Sequence, residues 1–189
     1  MNKINNKNNK LHPYWITGFV DGEGCFKVIL RKKDNFKTGW KLEVRFQILL
    51  HIRDKNLILD IRSFFNDIGT IYENNIYIQY EIGKIDDLIK IIIPHFEKFP
   101  LFTKKKKDFL LWRDIVHLIS KKEHLNKEGL IEILKLKASL NRGLPENFED
   151  FFSKIEKIVR PNVCLPSIID YNWLAGFFFR RRFFFYIYN

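Results

Sequence analysis

Residues Trp15 to Gly24 read W-I-T-G-F-V-D-G-E-G, and Trp173 to Phe177 begin the same phrase as W-L-A-G-F. The two stretches lie 158 positions apart, so the chain holds one complete copy of a short motif and one that departs from it. Internal repetition constrains architecture before other patterns do. Aligning Trp15 with Trp173 places Gly176 on Gly18 and Phe184 on Phe26. Phe179 and Arg181 then fall where the first copy carries Asp21 and Glu23. Pro13 suits a first helical turn, and the pattern predicts a helix from Tyr14 to Gly22. Gly18 and Gly22 share one face of it, a candidate helix interface where missing side chains admit a second helix.

Outward from this helix the period changes to two. Phe26, Val28 and Leu30 alternate with Lys27, Ile29 and Arg31, and after a turn at Asp34 to Gly39, Leu42, Val44, Phe46 and Ile48 alternate with Lys41, Glu43, Arg45 and Gln47. This is a hairpin with one apolar and one charged face. A helix follows from Asp54 to about Phe65, then a second hairpin with inward Ile76, Ile78, Tyr80 and Ile82 and outward Tyr77 and Gln79. A third helix starts at Asp86-Asp87 and is expected to stop at Pro94. The order helix, hairpin, helix, hairpin, helix predicts an α+β fold with helices on one sheet face. Beyond it, Phe109, Trp112, Ile115, Val116 and Ile119 form a core stripe on one helix. Asn126 caps another helix that Gly143 is expected to end, and an amphipathic stretch is expected over 148–159. The expected domains are a disordered tail at 1–11, a body at 12–160, and a linker with a truncated second repeat at 161–189.

With 189 residues, 46% of them hydrophobic, the chain can bury a core without staples. Its net charge of +11 favours a polyanionic partner, most simply nucleic acid. Cys25 and Cys164 form no metal or disulfide pattern. No apolar run approaches the roughly 18–20 residues that cross a bilayer, so no membrane role is expected. The first ten residues carry no secretory or transit signal. Abundant Asn, Lys, Ile, Phe and Tyr is what A/T-rich codons produce, which points to an organelle-encoded gene, in the mitochondrion.

The decamer at Trp15, followed by a basic alternating hairpin, resembles the LAGLIDADG homing endonucleases. Two later stretches extend the resemblance: P-L-F-T-K-K-K-K-D-F-L-L-W-R from Pro100 and K-E-H-L-N-K-E-G-L-I-E-I-L-K-L-K-A-S-L-N-R-G-L from Lys122. Each string alone is weak, but three in this order are specific. The resemblance implies the αββαββα fold with a curved antiparallel sheet, here with additional C-terminal helices. It implies an intron-encoded enzyme that hydrolyses phosphodiester bonds of double-stranded DNA with Mg²⁺. Glu23, at the second acidic position, is implied as the metal ligand, and Asp21 reads as structural. A carboxylate at a helix C-terminus favours a nearby cation, and Mg²⁺ prefers oxygen ligands. Lys27, Arg31, Lys33, Lys41, Arg45, Tyr77 and Gln79 are the candidate DNA-binding residues, since a two-stranded ribbon can enter the major groove. Gln47, near the end of its strand, is a candidate to approach the scissile phosphate. The alternative for this face is simple solvation.

Lys104 to Lys107 read equally as a phosphate contact or a solvated helix entrance, and the five histidines read as structural. Arginine at a metal-ligand position repels a cation, so Arg181 leaves half an active site. The run Arg180 to Asn189 is expected to be a frameshifted tail, because AGA and AGG codons read one base along give glutamate and glycine. A homodimer pairing two first helices could supply a second Glu23. The competing readings are a non-catalytic nucleic-acid-binding remnant, or a maturase that binds intron RNA.

Overall fold

The computed structural model describes residues 11–141, 143–144, 155–164 and 166–179. Helix α1 (Pro13–Glu23) starts on a His12 cap whose Nδ1 accepts the Tyr14 N–H at 3.3 Å, with Pro13 in the first turn. It passes without a loop into strand β1 (Gly24–Lys32), because the Gly24 N–H closes on Val20 O while Gly24 itself is already extended. Strand β2 (Trp40–His51), helix α2 (Lys55–Phe64), strands β3 (Thr70–Glu73) and β4 (Tyr77–Ile82) follow. The sheet order is β1-β2-β4-β3, with every neighbouring pair antiparallel.

The register places Phe26 on Phe46, Val28 on Val44, Ile48 on Tyr80 and Leu50 on Ile78. These rows are buried and form the inner sheet face. Ile58 and Ile61 of α2 and Phe109, Trp112 and Ile115 of α5 (Lys105–Ser120) join the same core. The Trp112 ring lies 5.1 Å from Phe26, and its Nε1–H donates to Lys27 O at 3.1 Å, so the indole satisfies its polar edge inside the core. Helix α6 (Lys127–Ala138) begins at Asn126, whose Oδ1 accepts the Gly129 N–H at 2.7 Å. Helix α7 (Tyr171–Phe178) covers α1. This α+β arrangement, with helices on one face of an antiparallel sheet, is the one the alternation predicts.

Several local expectations are corrected. Pro94 does not stop the third helical segment. Helix α3 (Ile85–Asp87) runs through a π turn at Leu88–Ile92 into α4 (Ile93–Lys98), which holds Pro94 in its first turn, where no N–H is needed. Ile76 is 67% exposed because it belongs to the turn rather than the strand. Helix α6 ends at Ala138, short of Gly143, which has φ +80° in the connection beyond. Of the amphipathic stretch at 148–159, residues 155–159 carry no helix, and 148–154 lie outside the described residues. The tail at 1–10 and the frameshift expectation at Arg180 to Asn189 also lie outside them.

His95 on α4 is enclosed by Phe64, Phe65, Phe96 and Phe99. The Thr17 hydroxyl donates to Phe99 O at 3.0 Å, so its 3.2 Å contact with His95 Nε2 takes the ring as donor. Burial pushes the His95 pKa down to about 4, which keeps the ring neutral.

Candidate functional site

Helices α1 and α7 cross at their glycines. A Cβ on Gly18 would stand 2.0 Å from Trp173 O, and one on Gly176 would stand 2.0 Å from Trp15 O. The reciprocity follows from the repeated W-x-x-G spacing and gives a local two-fold relation between the copies. Gly22 differs: it is exposed, and a Cβ there would meet only Phe177 O at 3.8 Å. The close approach therefore rests on Gly18 rather than on both glycines. The expectation of a homodimer through the first helix is corrected here, because α7 of the same chain occupies the pairing face.

At the foot of α1 the two acidic residues part. Asp21 turns inward and is buried. It accepts the Phe102 N–H at 2.6 Å, the Thr103 hydroxyl at 2.6 Å and the Trp173 Nε1–H at 3.1 Å, tying α1 both to the entry of α5 and to α7. Burial raises its pKa, while the hydrogen bonds from Thr103, Phe102 and Trp173 oppose that rise. Glu23 is the last residue of α1, half-buried, immediately before the polar face of β1.

Two neighbours frame Glu23. Gln47 on β2 pairs in register with Cys25, two residues after Glu23, and with Glu81 on its other side. Its side chain is buried, and its Oε1 has no hydrogen-bond partner among the described residues. Lys105, the first residue of α5, donates from Nζ to Val20 O at 2.7 Å, at the carbonyl end of α1. Burial lowers its pKa, and Asp21, Cys25, Glu23 and Asp108 pull it back up. Burial pushes the Cys25 thiol pKa up, while Lys27 and Lys105 pull it down. Lys105 was hidden in a run of four lysines. The signal that finds it is its spacing of four from Phe109, which puts it on the core-facing side of the helix.

The polar sheet face carries the other candidates. Lys27, Arg45, Lys41 and Gln79 are half-exposed, while Arg31, Lys33 and Tyr77 are exposed, Lys33 in the turn after β1. Arg31 pairs with Lys41 and Lys27 with Arg45 in register, giving two basic cross-strand rows. Acidic residues divide these rows: Lys41 and Arg45 both bond Glu43 at 2.6 Å, and Arg45 also bonds Glu81. Lys41 and Arg45 are thus paired with carboxylates, in keeping with a charged face that carries Glu43. Leu49 and Tyr72, in one row with Gln79, are exposed on the same face, and the sequence did not single them out because the register that aligns them with Gln79 joins three strands.

A model of the LAGLIDADG endonuclease family matches residues 16–116. A Neurospora crassa protein named "Probable intron-encoded endonuclease 3" is 36% identical over 171 residues, covering 89% of this chain and 32% of that protein. "Probable intron-encoded endonuclease 2" of the same fungus is 38% identical over 179 residues, covering 88% of this chain and 40% of that one. The structure of the I-SmaMI LAGLIDADG homing endonuclease bound to cleaved DNA superposes with a TM-score of 0.86 at 38% identity, covering 90% of this chain and 57% of that one. I-SmaMI bound to uncleaved DNA in the presence of calcium ions gives 0.86 and 38%, covering 89% and 58%. The chain therefore spans about a third to two fifths of those curated relatives and under three fifths of the solved enzyme.

Proposed function

This chain belongs to the LAGLIDADG endonuclease family, and from that premise we propose that it binds duplex DNA along its polar sheet face and hydrolyses a phosphodiester bond at a defined site. The observation that carries this reading is the position of Glu23. It stands at the junction of the α1–α7 pair, the polar face of β1 and the half-buried Lys105.

The residues there fit a hard divalent cation. Glu23 offers a carboxylate at the negative end of a helix, and the buried Oε1 of Gln47, without a hydrogen-bond partner among the described residues, offers a second oxygen close along the ladder. Mg²⁺ suits such a sparse set, because it keeps water and takes oxygens from the substrate phosphate. When bound, the ion supplies an activated water and offsets charge on the phosphate. Glu23 would hold it, and the Gln47 amide would orient water. Lys105, anchored on Val20 O, would place positive charge near the reacting phosphate. Lys27, Arg31, Lys33, Lys41, Arg45, Tyr77 and Gln79 would contact bases and backbone. An intron within a mitochondrial gene is the setting we infer, since the relatives are named intron-encoded and one is a protein in ND4 intron 1 of Podospora anserina.

The test is incubation of the chain with a plasmid pool carrying a randomised insert, in Mg²⁺, Ca²⁺ or EDTA, followed by sequencing of the ends. Cut sites sharing one motif in Mg²⁺ support the reading; cutting that ignores sequence or persists in EDTA refutes it. Binding should weaken with salt at a log–log slope of about −0.9 per phosphate contacted. One observation favours a second reading. In the sequence repeat Arg181 aligns with Glu23 in place of a second acid, which suits a chain that binds duplex DNA or intron RNA without cutting. Motif-specific binding without scission in any metal would establish it.

A further inference from the structure

The carboxylates on the polar sheet face require a reason, because an acidic group facing a phosphate backbone opposes binding. Glu43 and Glu81 do not stand out from the surface. Their side chains are 15% and 10% exposed, beneath Lys41 at 42% and Arg45 at 28%. The chain of contacts runs from Lys41 to Glu43, from Glu43 to Arg45, from Arg45 to Glu81, and from Glu81 to Gln79 at 3.1 Å. Cations form the upper tier and carboxylates the floor.

The guanidinium of Arg45 is held from both sides. Nη1 donates to Glu81 on β4 and Nη2 donates to Glu43 on its own strand. An arginine has five N–H donors in a fixed planar fork, so three remain unassigned. β4 ends at Ile82, opposite Phe46, and the next residue is Gly83. Gly83 sits against the stem of the arginine, since a Cβ there would be in ordinary contact with Arg45 Cγ at 3.7 Å. Glu43, Arg45, Glu81 and Gly83 also line a recess of about 540 Å³. Hydrogen bonds from Lys41 and Arg45 hold the Glu43 carboxyl down at about 2, so this anchor stays charged at any physiological pH.

We propose that Arg45 is the guanine-reading residue of this chain, and that Glu43 and Glu81 are positioning residues that aim its free donors at the O6 and N7 of one guanine in the major groove. The inference rests on the reading of the polar sheet face as the DNA surface. Bidentate arginine–guanine contacts are the commonest specific contact in that groove, and a pre-set fork loses little rotamer freedom on binding. The two carboxylates weaken non-specific attraction while sharpening the choice of one base pair, which is how specificity is commonly gained.

The experiment is selection of bound duplexes from a randomised 20-base-pair pool by the full chain and by R45A, R45K and E81Q, with thermal melting of each variant as the check on folding. The parent should prefer G·C at one position. R45A and R45K should both lower that preference by about tenfold or more there, leaving other positions unchanged. E81Q should lower the preference at the same position by less, yet raise affinity for every duplex, because a negative charge has left the surface. A purely structural Glu81 would change melting and leave the base profile intact. If the parent binds no duplex, the DNA-binding reading falls. If it binds with preferences that R45A and R45K leave unchanged, or with none, the assignment of Arg45 falls while that reading stands.

Discussion

Adding one methyl group at Gly18 tests the helix pairing on which the site is built. In G18A the new Cβ would stand 2.0 Å from Trp173 O and 2.8 Å from Trp173 C, both backbone atoms that no rotamer change can move. Restoring an ordinary 3.4 Å contact parts the helices by about 1.4 Å. That stretch carries the Trp173 Nε1–Asp21 hydrogen bond, now 3.1 Å, beyond bonding reach. Overpacking of about 1–3 kcal/mol, with about 1.5–3 kcal/mol for a lost bond to a charged acceptor, comes to roughly 2.5–6 kcal/mol. An eight-residue helix has no stability of its own, so α7 should leave as a unit while the sheet core stays folded. Hydrogen exchange read by mass spectrometry gives the result directly. Amides of residues 171–178 should lose protection in G18A, and equally in G176A, while β1 and β2 keep theirs. G22A is the control: its Cβ meets nothing closer than 3.8 Å, and alanine gains helix propensity of up to about 1 kcal/mol. Retained protection of residues 171–178 in G18A, or its loss in G22A, would refute this account of the crossing.

Two further outcomes follow from buried groups. D21N should lower stability by about 3 kcal/mol, because the amide nitrogen must replace either the oxygen that accepts from Phe102 and Trp173 or the one that accepts from the Thr103 hydroxyl, and the bonds that remain lose a charged acceptor; urea unfolding would show it, and an unchanged midpoint would contradict it. His95 is held neutral, with its pKa lowered from 6.5 to about 4, so the unfolded chain binds the extra proton between those values. Stability should therefore fall as pH drops from about 6.5 to 4, by about 3 kcal/mol in all, and H95F should flatten that window in pH-dependent melting.

The sequence made much of this legible where one periodicity acted alone. The alternation in β1 and β2 and the stripe from Phe109 to Ile119 match the buried faces, since each face meets a single environment. The place of Glu23 at the end of α1 was legible because the helical pattern gives way there to the alternation of β1. Other features needed three dimensions. Glu81 lies 36 residues from Arg45, and only the β2–β4 register brings the two together. The Asp21 contacts to Phe102 and Trp173 span 81 and 152 residues and leave no local trace. Pro94 misled because a proline ends a regular helix, whereas the π turn before it changes which carbonyls need donors.

Glu23 is proposed to hold a divalent cation beside bound DNA. Titrating Mn²⁺ into the complex of the chain with a duplex recovered from the randomised pool, for the parent and for E23Q, tests it without requiring turnover. Both proteins should bind the duplex, and E23Q should take up Mn²⁺ at least about tenfold more weakly. Equal Mn²⁺ affinity in the two complexes, with folding and DNA binding intact, would contradict it.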